Sequence, residues 1–263
     1  MGRAILLLFI LIAPVDSVRA EVRTETFTYG DGDLSLKGYL AWDDRFKGRR
    51  PGVLVVHEWW GQTDYPRRRA RMLAGLGYTA MAIDMYGKGR VLHHPKDAGA
   101  FARQTMQDAA GLKSRFIAAL NRLKQHRTTD PKRTAAVGYC FGGGVVLHMA
   151  RIGLPLKAVV SFHGSLATKE PARKGVIQSS ILVLNGAADK MVKPEHITAF
   201  EQEMTRAGAR YRLISYRDAR HGFTNPDATR TGKKFNLPVA YQKRADEQSW
   251  AEMQRFLKTN LGS

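Results

Sequence analysis

The chain has 263 residues, of which 44% are hydrophobic and 25% charged, a composition that excludes a disordered or fibrous protein. Its 42 Lys and Arg residues outnumber 23 Asp and Glu residues, and the formal charge of +19 favours non-specific association with anionic surfaces. The basic residues are scattered, with the densest run at Arg67–Arg69, so we predict no specific nucleic-acid partner. A single cysteine excludes an internal disulfide and a multi-cysteine metal site.

The first twenty residues have the features of a signal peptide. Arg3 supplies a positive charge, residues 4–13 are ten consecutive apolar residues, and Val18 and Ala20 place small side chains at the −3 and −1 positions of a cleavage site. The apolar run would form about 15 Å of helix, too short to span a bilayer. A buried strand or an uncleaved anchor is the alternative. We predict a signal peptide at 1–20, export to the periplasm or the medium, and one domain at 21–263.

Short β-rich runs alternate with helical patterns after the apolar segment. A hairpin is predicted at 24–40, with its turn at 30–33. Further strands are predicted at 53–57, 79–83, 134–137, 158–162, 181–184 and 211–215, and helices at 64–76, 106–124, 145–150, 194–207 and 239–258. The continuous apolar run at 53–57 is typical of a strand buried on both faces. The alternation predicts an α/β fold with a mostly parallel central sheet, helices on both faces, and an antiparallel hairpin at one edge.

Three of the helical patterns indicate which residues face the core. The apolar positions recur at helical spacing in each of them. They are Ala70, Leu73 and Leu76; Ala109, Leu112, Phe116, Leu120 and Leu123; and Trp250, Met253 and Leu257.

The motif Gly-Tyr-Cys-Phe-Gly at 138–142 lies between a predicted strand and a predicted helix. It is the thiol form of the G-x-S-x-G nucleophile elbow, whose glycines let strand and helix approach closely around a strained central residue. The N-terminus of the following helix favours a thiolate and, later, an oxyanion. The motif predicts Cys140 as a nucleophile, and a buried cysteine in a glycine-rich packing turn is the alternative.

Partners for this nucleophile are expected after later strands, the acid first and the histidine second. Asp189 follows the strand at 181–184, and His221 follows the strand at 211–215. We predict that His221 takes the thiol proton and returns it to the leaving group, while Asp189 orients the imidazole. Asp84 precedes the nucleophile and is interpreted as a structural turn carboxylate, and Asp218 as a loop residue.

The other histidines divide into two groups. His57 and His163, like His221, end or follow strands on the side of the predicted site. The remaining five are predicted to be surface or packing residues: His93, His94, His126, His148 and His196. A metal site at His93 and His94 lacks companions at ligand spacing. We therefore predict no metal and no organic cofactor.

With nucleophile, acid and histidine in this order, the sequence resembles the dienelactone hydrolase family of α/β hydrolases over about residues 30–260. Four blocks carry the resemblance: His-Glu-Trp-Trp-Gly at 57–61, Asp-Met-Tyr-Gly at 84–87, the elbow at 138–143, and His-Gly-Phe at 221–223. The resemblance implies the α/β-hydrolase fold and hydrolysis of small carboxylic esters or lactones.

The resemblance also implies roles for residues around the nucleophile. Glu58 would accept the thiol hydrogen and be displaced when substrate binds, which would protect a solitary cysteine from oxidation. A buried carboxylate satisfied by backbone amides is the alternative for Glu58. The backbone N–H groups of Trp59 and Phe141 would form the oxyanion hole. The side chains of Trp59 and Trp60 would line the pocket or pack beneath it.

Two positions depart from the family pattern. Members that cleave dienelactone bind the substrate carboxylate through two arginines, and Lys88 and Asn225 stand at these positions here. A lysine can meet a carboxylate only as a point charge, and an asparagine brings no charge. The substrate-binding candidates are Lys88, Trp60, Tyr86 and His163, and the departures put dienelactone itself in question as the substrate.

The sequence thus predicts an exported cysteine hydrolase that forms a thioester acyl-enzyme, which water activated by His221 then hydrolyses. A broader carboxylesterase or acyltransferase is one alternative, and a non-catalytic binding protein on a hydrolase scaffold is another. The expected partner is a small-molecule ester or lactone, and the expected oligomeric state is a monomer.

Overall fold

The computed structural model describes residues 22–262, so the predicted signal peptide lies outside the described residues. Eight strands form one sheet in the order β1-β2-β4-β3-β5-β6-β7-β8. The strands are β1 (Val22–Asp31), β2 (Leu34–Asp43), β3 (Arg50–Val56), β4 (Thr79–Ile83), β5 (Thr129–Tyr139), β6 (Ala158–Phe162), β7 (Ser180–Gly186) and β8 (Tyr211–Tyr216). Strands β1 and β2 are antiparallel to their neighbours, and all other pairs are parallel. The predicted mostly parallel sheet with an antiparallel edge hairpin is confirmed.

Helices cover both faces of this sheet. They are α1 (Asp64–Gly75), α2 (Pro95–Gln107), α3 (Ala109–Gln125), α4 (Phe141–Arg151), α5 (Pro194–Ala207), α6 (Ala228–Phe235) and α7 (Lys243–Leu261). Successive residues of a strand point to opposite faces. In β3, Val53 and Val55 accordingly pack in the cluster that contains residues of α1 and α7, whereas Leu54 and Val56 pack in the cluster of α3, α4 and α5. None of the helices within 22–262 has the length and apolar character needed to cross a membrane.

The structure corrects the predicted helices in several places. The helix predicted at 106–124 divides at Asp108, whose side chain caps α3 by accepting a hydrogen bond from the Gly111 amide at 3.0 Å. The residues before it belong to the unpredicted helix α2, and Ala109, at the exposed start of α3, does not reach the core. Leu76 is also exposed, because α1 ends before it. Helix α6 was missed because its few turns are rich in charged residues.

Candidate active site

The nucleophile elbow forms where β5 meets α4. Cys140 lies between them with φ 54° and ψ −115°, a strained conformation for a residue with a side chain. A Cβ at Gly138 would lie 2.0 Å from the Gly142 carbonyl oxygen, and a Cβ at Gly142 would lie 2.4 Å from the Val56 oxygen. Only glycine therefore fits at 138 and 142, and their closeness fixes the position of Cys140 at the carboxyl edge of the sheet.

Asp189 and His221 are brought together in the loops after β7 and β8. The Nδ1 atom of His221 lies 2.9 Å from Asp189 Oδ2, and Asp189 Oδ1 accepts a hydrogen bond from the Met191 amide at 2.8 Å. His221 Nε2 is buried without a hydrogen-bond partner among residues 22–262, and His221 lines one small cavity together with Cys140. The free nitrogen of an oriented imidazole thus shares a cavity with the thiol.

The charge of His221 depends on its two neighbours. Burial alone would lower the pKa of His221, but a thiolate at Cys140 and the carboxylate of Asp189 raise that pKa well above the ordinary value of 6.5. The arrangement favours an imidazolium at His221, between Asp189 and Cys140.

His163 lies behind the elbow and has the opposite tendency. It is fully buried, with φ 40°, and its Nδ1 accepts a hydrogen bond from the Cys140 amide at 3.1 Å. Its Nε2 is 2.8 Å from the Thr224 hydroxyl. Burial, then the charges of His221 and Arg69, lower the pKa of His163 well below 6.5. A neutral His163 with its proton on Nε2 satisfies both contacts.

A buried network continues from His163 into the core. The Thr224 hydroxyl lies 2.6 Å from the Tyr65 hydroxyl, and Arg69 donates to the Thr224 carbonyl at 2.7 Å and to Asp246. The Arg69 guanidinium also stacks over Tyr65 at 5.3 Å from the ring centre. These contacts fix the ring of His163. No sequence pattern indicates them, because the residues that form them are far apart in the chain.

His57 orients the loop that follows β3. Its Nδ1 lies 2.6 Å from the Glu58 carbonyl oxygen, and its Nε2 accepts a hydrogen bond from the Met85 amide at 3.2 Å. In a trans peptide the N–H points away from the C=O. Because His57 holds the Glu58 oxygen, the N–H of Trp59, which belongs to the same peptide unit, points away from His57. The sequence placed His57 on the site side but did not show this role.

The second predicted oxyanion donor is the amide of Phe141, the first residue of α4. Amide groups in the first turn of a helix have no carbonyl partner within it. The preceding carbonyl, of Cys140, accepts from the Gly144 amide at 3.3 Å, so it points along the helix and the Phe141 N–H points outward. The Gly142 amide donates to the His57 oxygen at 3.1 Å and ties the two donor segments together.

Glu58 forms its hydrogen bond with Asn225. The Asn225 amide nitrogen donates to Glu58 Oε2 at 2.6 Å. Burial raises the pKa of Glu58 to about 7, against the opposing effect of this hydrogen bond. Within residues 22–262, Glu58 forms no hydrogen bond with the Cys140 thiol. The asparagine at the family's arginine position therefore holds Glu58 in this structure.

The cavity that holds Cys140 measures about 30 Å³, room for about two water molecules. Its lining combines apolar side chains with Glu58, Asn225 and Thr231, and contains no Lys or Arg among the described residues. The lining residues are Glu58, Trp59, Trp60, Cys140, Met191, His221, Gly222, Asn225, Ala228, Thr231, Leu237 and Val239. A groove of about 650 Å³ adjoins the cavity and shares Trp60, Asn225 and Thr231 with it.

Three of the four substrate-binding candidates lie elsewhere. Lys88 is exposed and outside the cavity lining. Tyr86 is buried, donates to the Trp59 carbonyl at 3.0 Å and packs against His57, so it supports the loop. His163 has no exposed surface with which to contact a substrate. Trp60 lines both the cavity and the groove.

The competing acids and histidines take no part in the cavity. Asp84 accepts hydrogen bonds from the amides of Tyr86, Gly87 and Gly89 at 2.7–2.9 Å, as a turn carboxylate does. Asp218 is exposed beside Arg217. Residues 22–262 contain no cluster of three metal-binding side chains.

A profile of the dienelactone hydrolase family matches residues 36–261. The chain belongs to this family. A dienelactone hydrolase-like promiscuous phosphotriesterase from metagenomic libraries is 33% identical, with a TM-score of 0.84 over 92% of this chain and 99% of that one. An Aquifex aeolicus protein named "Putative carboxymethylenebutenolidase" is 26% identical over 87% of this chain and 95% of its own. A Thermogutta terrifontis esterase shares the fold, at 21% identity and a TM-score of 0.63 over 91% of this chain and 94% of its own.

Membership of the dienelactone hydrolase family confirms the predicted α/β-hydrolase fold and makes the protein a carboxylic ester hydrolase. The family also indicates a small-molecule ester as the substrate. Family membership identifies neither the nucleophile nor the preferred ester, which depend on the geometry of the site.

Proposed function

We propose that this protein hydrolyses small neutral carboxylic esters or lactones through a thioester on Cys140. The observation that carries the proposal is the imidazole of His221, held by Asp189 at 2.9 Å, with its buried Nε2 in the cavity that contains Cys140. This arrangement matches the nucleophile, base and orienting acid of acyl-transfer enzymes.

The reaction takes place in two halves. The Cys140 thiolate attacks the ester carbonyl, a carbon–sulfur bond forms, and the carbon–oxygen bond to the alcohol breaks as His221 gives that oxygen a proton. His221, now neutral, takes a proton from water, and the resulting hydroxide attacks the thioester. The carbon–sulfur bond then breaks, the acid leaves, and the ion pair of thiolate and imidazolium is restored.

Negative charge on the carbonyl oxygen would be stabilised by the N–H groups of Trp59 and Phe141. Both donors are fixed before substrate arrives, by His57 on one side and by the first turn of α4 on the other. Preorganised donors of this kind contribute about 10²–10³ in rate each.

Glu58 and Asn225 would set the charge of the substrate that enters. Among the described residues, the cavity lining has a carboxylate with a raised pKa and no Lys or Arg, so an anionic acyl group would meet no cation there except His221. An uncharged ester with a small acyl group fits the space beside Cys140. Its larger part would lie in the adjoining groove, whose lining holds two basic and two acidic side chains. We propose neutral esters over carboxylate-bearing lactones on this ground.

The test compares the hydrolysis of p-nitrophenyl acetate with that of dienelactone, in the wild type and in Cys140→Ala. We expect wild-type turnover of the neutral ester, a much lower kcat/KM for the anionic lactone, and loss of both in the variant. Preference for the lactone would overturn the substrate assignment. Undiminished turnover in the alanine variant, with intact secondary structure, would overturn the mechanism.

A second activity follows from the same neutral cavity. The metagenomic relative is a promiscuous phosphotriesterase. A phosphotriester, like the neutral esters proposed above, carries no charge. We propose that Cys140 of this chain also attacks activated phosphotriesters, displacing the aryl alcohol. Release of p-nitrophenol from paraoxon by the wild type but not by Cys140→Ala would support this activity.

We also propose export, on the sequence of residues 1–20. Expression of the full chain in a bacterium should yield a periplasmic or secreted protein that begins at Glu21. Retention in the cytoplasm with the first twenty residues attached would contradict export and leave the catalytic proposal intact. We also propose that the protein is a monomer in solution.

A further inference from the structure

A cleft of about 670 Å³ lies at the edge of the sheet opposite the active site. Arg50, which begins β3, and Tyr78, which precedes β4, line it, whereas Cys140 follows the end of β5. We call this feature the basic cleft. Its lining residues are Phe46, Lys47, Arg49, Arg50, Pro51, Leu76, Gly77, Tyr78, Arg133, Gln254, Arg255, Lys258 and Gly262.

The lining of the basic cleft carries charge of one sign. Of the described residues that line it, six are Lys or Arg and none is Asp or Glu. Arg255 is paired with Glu252, and Arg133 with Asp130. The side chains of Lys47, Arg49 and Lys258 are exposed and have no ion-pair partner among residues 22–262. Such a concentration of cations raises the local concentration of an anionic partner.

Exposed apolar side chains adjoin these cations. Phe46 is 40% exposed and Leu76 is 41% exposed, and both line the basic cleft. The ring of Phe46 lies against Gly77, the residue after Leu76, where an added Cβ would be 3.1 Å from the ring. Phe46 and Leu76 therefore line the same part of the cleft, which we call its apolar edge. Arg50 fixes this edge by donating to the Phe46 carbonyl at 2.7 Å.

We propose that the basic cleft docks the protein on an anionic lipid bilayer. Lys47, Arg49 and Lys258 would bind phosphate head groups, while Phe46 and Leu76 enter the interfacial layer. Basic residues flanking exposed apolar ones are the composition of membrane-surface sites. A soluble phosphate would use the cations but leave Leu76 without a partner, and an aliphatic side chain cannot stack on a nucleic-acid base.

Docking through this surface has a geometric consequence. The parallel strands begin at the basic cleft and end at the catalytic cavity. A bilayer bound at the basic cleft therefore leaves the catalytic cavity open to water. The proposal does not depend on which ester the enzyme hydrolyses.

The test is vesicle sedimentation with the folded protein and two triple variants of equal net charge. The cleft variant carries Lys47→Glu, Arg49→Glu and Lys258→Glu. The control carries Lys113→Glu, Lys174→Glu and Arg206→Glu, which are exposed cations outside the cleft lining. On vesicles of equal parts phosphatidylcholine and phosphatidylglycerol, we expect the cleft variant to bind at least about tenfold more weakly than the control. Ester hydrolysis, a readout of folding, should be unchanged in both.

A second variant, Phe46→Ser with Leu76→Ser, tests the apolar edge. It should lose the binding that survives in high salt, where charge attraction is screened. Equal loss of binding in the two charge variants would show an effect of net charge alone and overturn the proposal. Displacement from vesicles by millimolar inorganic phosphate would also overturn it, in favour of a soluble phosphate ligand.

Discussion

The two walls of the catalytic cavity are built in different ways. The catalytic wall, formed by Cys140, Asp189 and His221, lies just beyond the ends of three parallel strands and is fixed by short hydrogen bonds. The binding wall, formed by Trp59, Trp60, the pair Glu58–Asn225 and the segment around α6, is mostly apolar and joined by few polar contacts. The rate of the chemical steps and the choice of substrate therefore depend on different side chains, and substitutions can change each property separately.

The largest effect should come from the catalytic wall. Asp189→Asn would keep the shape of the side chain but remove the charge that supports the His221 imidazolium. We expect kcat to fall about 10³-fold or more, as expected for a misoriented imidazole. Steady-state hydrolysis of p-nitrophenyl acetate measures this, with the Asp218→Asn variant as an exposed control. A fall of less than tenfold would show that Asp189 does not orient the base.

The titration of Glu58, on the binding wall, should change how the free energy of unfolding depends on pH. Its pKa is about 7 in the folded protein against an ordinary 4.5, so the folded state holds more protons between these values. Relative to Glu58→Gln, the wild type should lose about 2–3 kcal/mol of stability as pH rises from about 4.5 to about 7. Urea unfolding across this range measures the difference. Parallel curves for the two proteins would contradict the raised pKa.

His163 should have a smaller effect, because it acts through the Cys140 amide and not on substrate. His163→Phe removes both hydrogen bonds, and we expect kcat to fall about ten- to thirtyfold with KM nearly unchanged, from loss of about 1.5–2 kcal/mol of positioning. His163→Asn keeps an acceptor near the former Nδ1 and should recover part of the rate. Equal loss in the two variants would indicate that the buried volume matters and the hydrogen bond to Cys140 does not.

The smallest expected effect is a change of selectivity at the binding wall. Asn225→Arg would place a guanidinium beside Glu58, at the position where carboxylate-binding relatives of this fold carry one. We expect the ratio of kcat/KM for dienelactone to that for p-nitrophenyl acetate to rise about tenfold. Asn225→Gln serves as the uncharged control. A ratio that moves equally in both variants would rule out charge as the basis of the selectivity.

The same division separates what could be predicted from the sequence. The glycines around Cys140 and the strand ends before Asp189 and His221 are local sequence patterns. These patterns alone predict that the members of the catalytic wall lie in one region of the fold. The binding wall depends on contacts between distant segments, such as Asn225 with Glu58, which no spacing reveals. The sequence predicts Lys88, Tyr86 and His163 as substrate contacts, because sequence position does not show which way a side chain points.

The most direct test of the account is intact-mass spectrometry of the protein mixed briefly with p-nitrophenyl acetate. We predict a single acetyl adduct that maps to Cys140, is absent in Cys140→Ala, and disappears as nitrophenol release continues. The adduct should accumulate in Asp189→Asn, where hydrolysis of the thioester is slowed. An adduct on another residue, or steady turnover with no adduct in any variant, would contradict a thioester at Cys140.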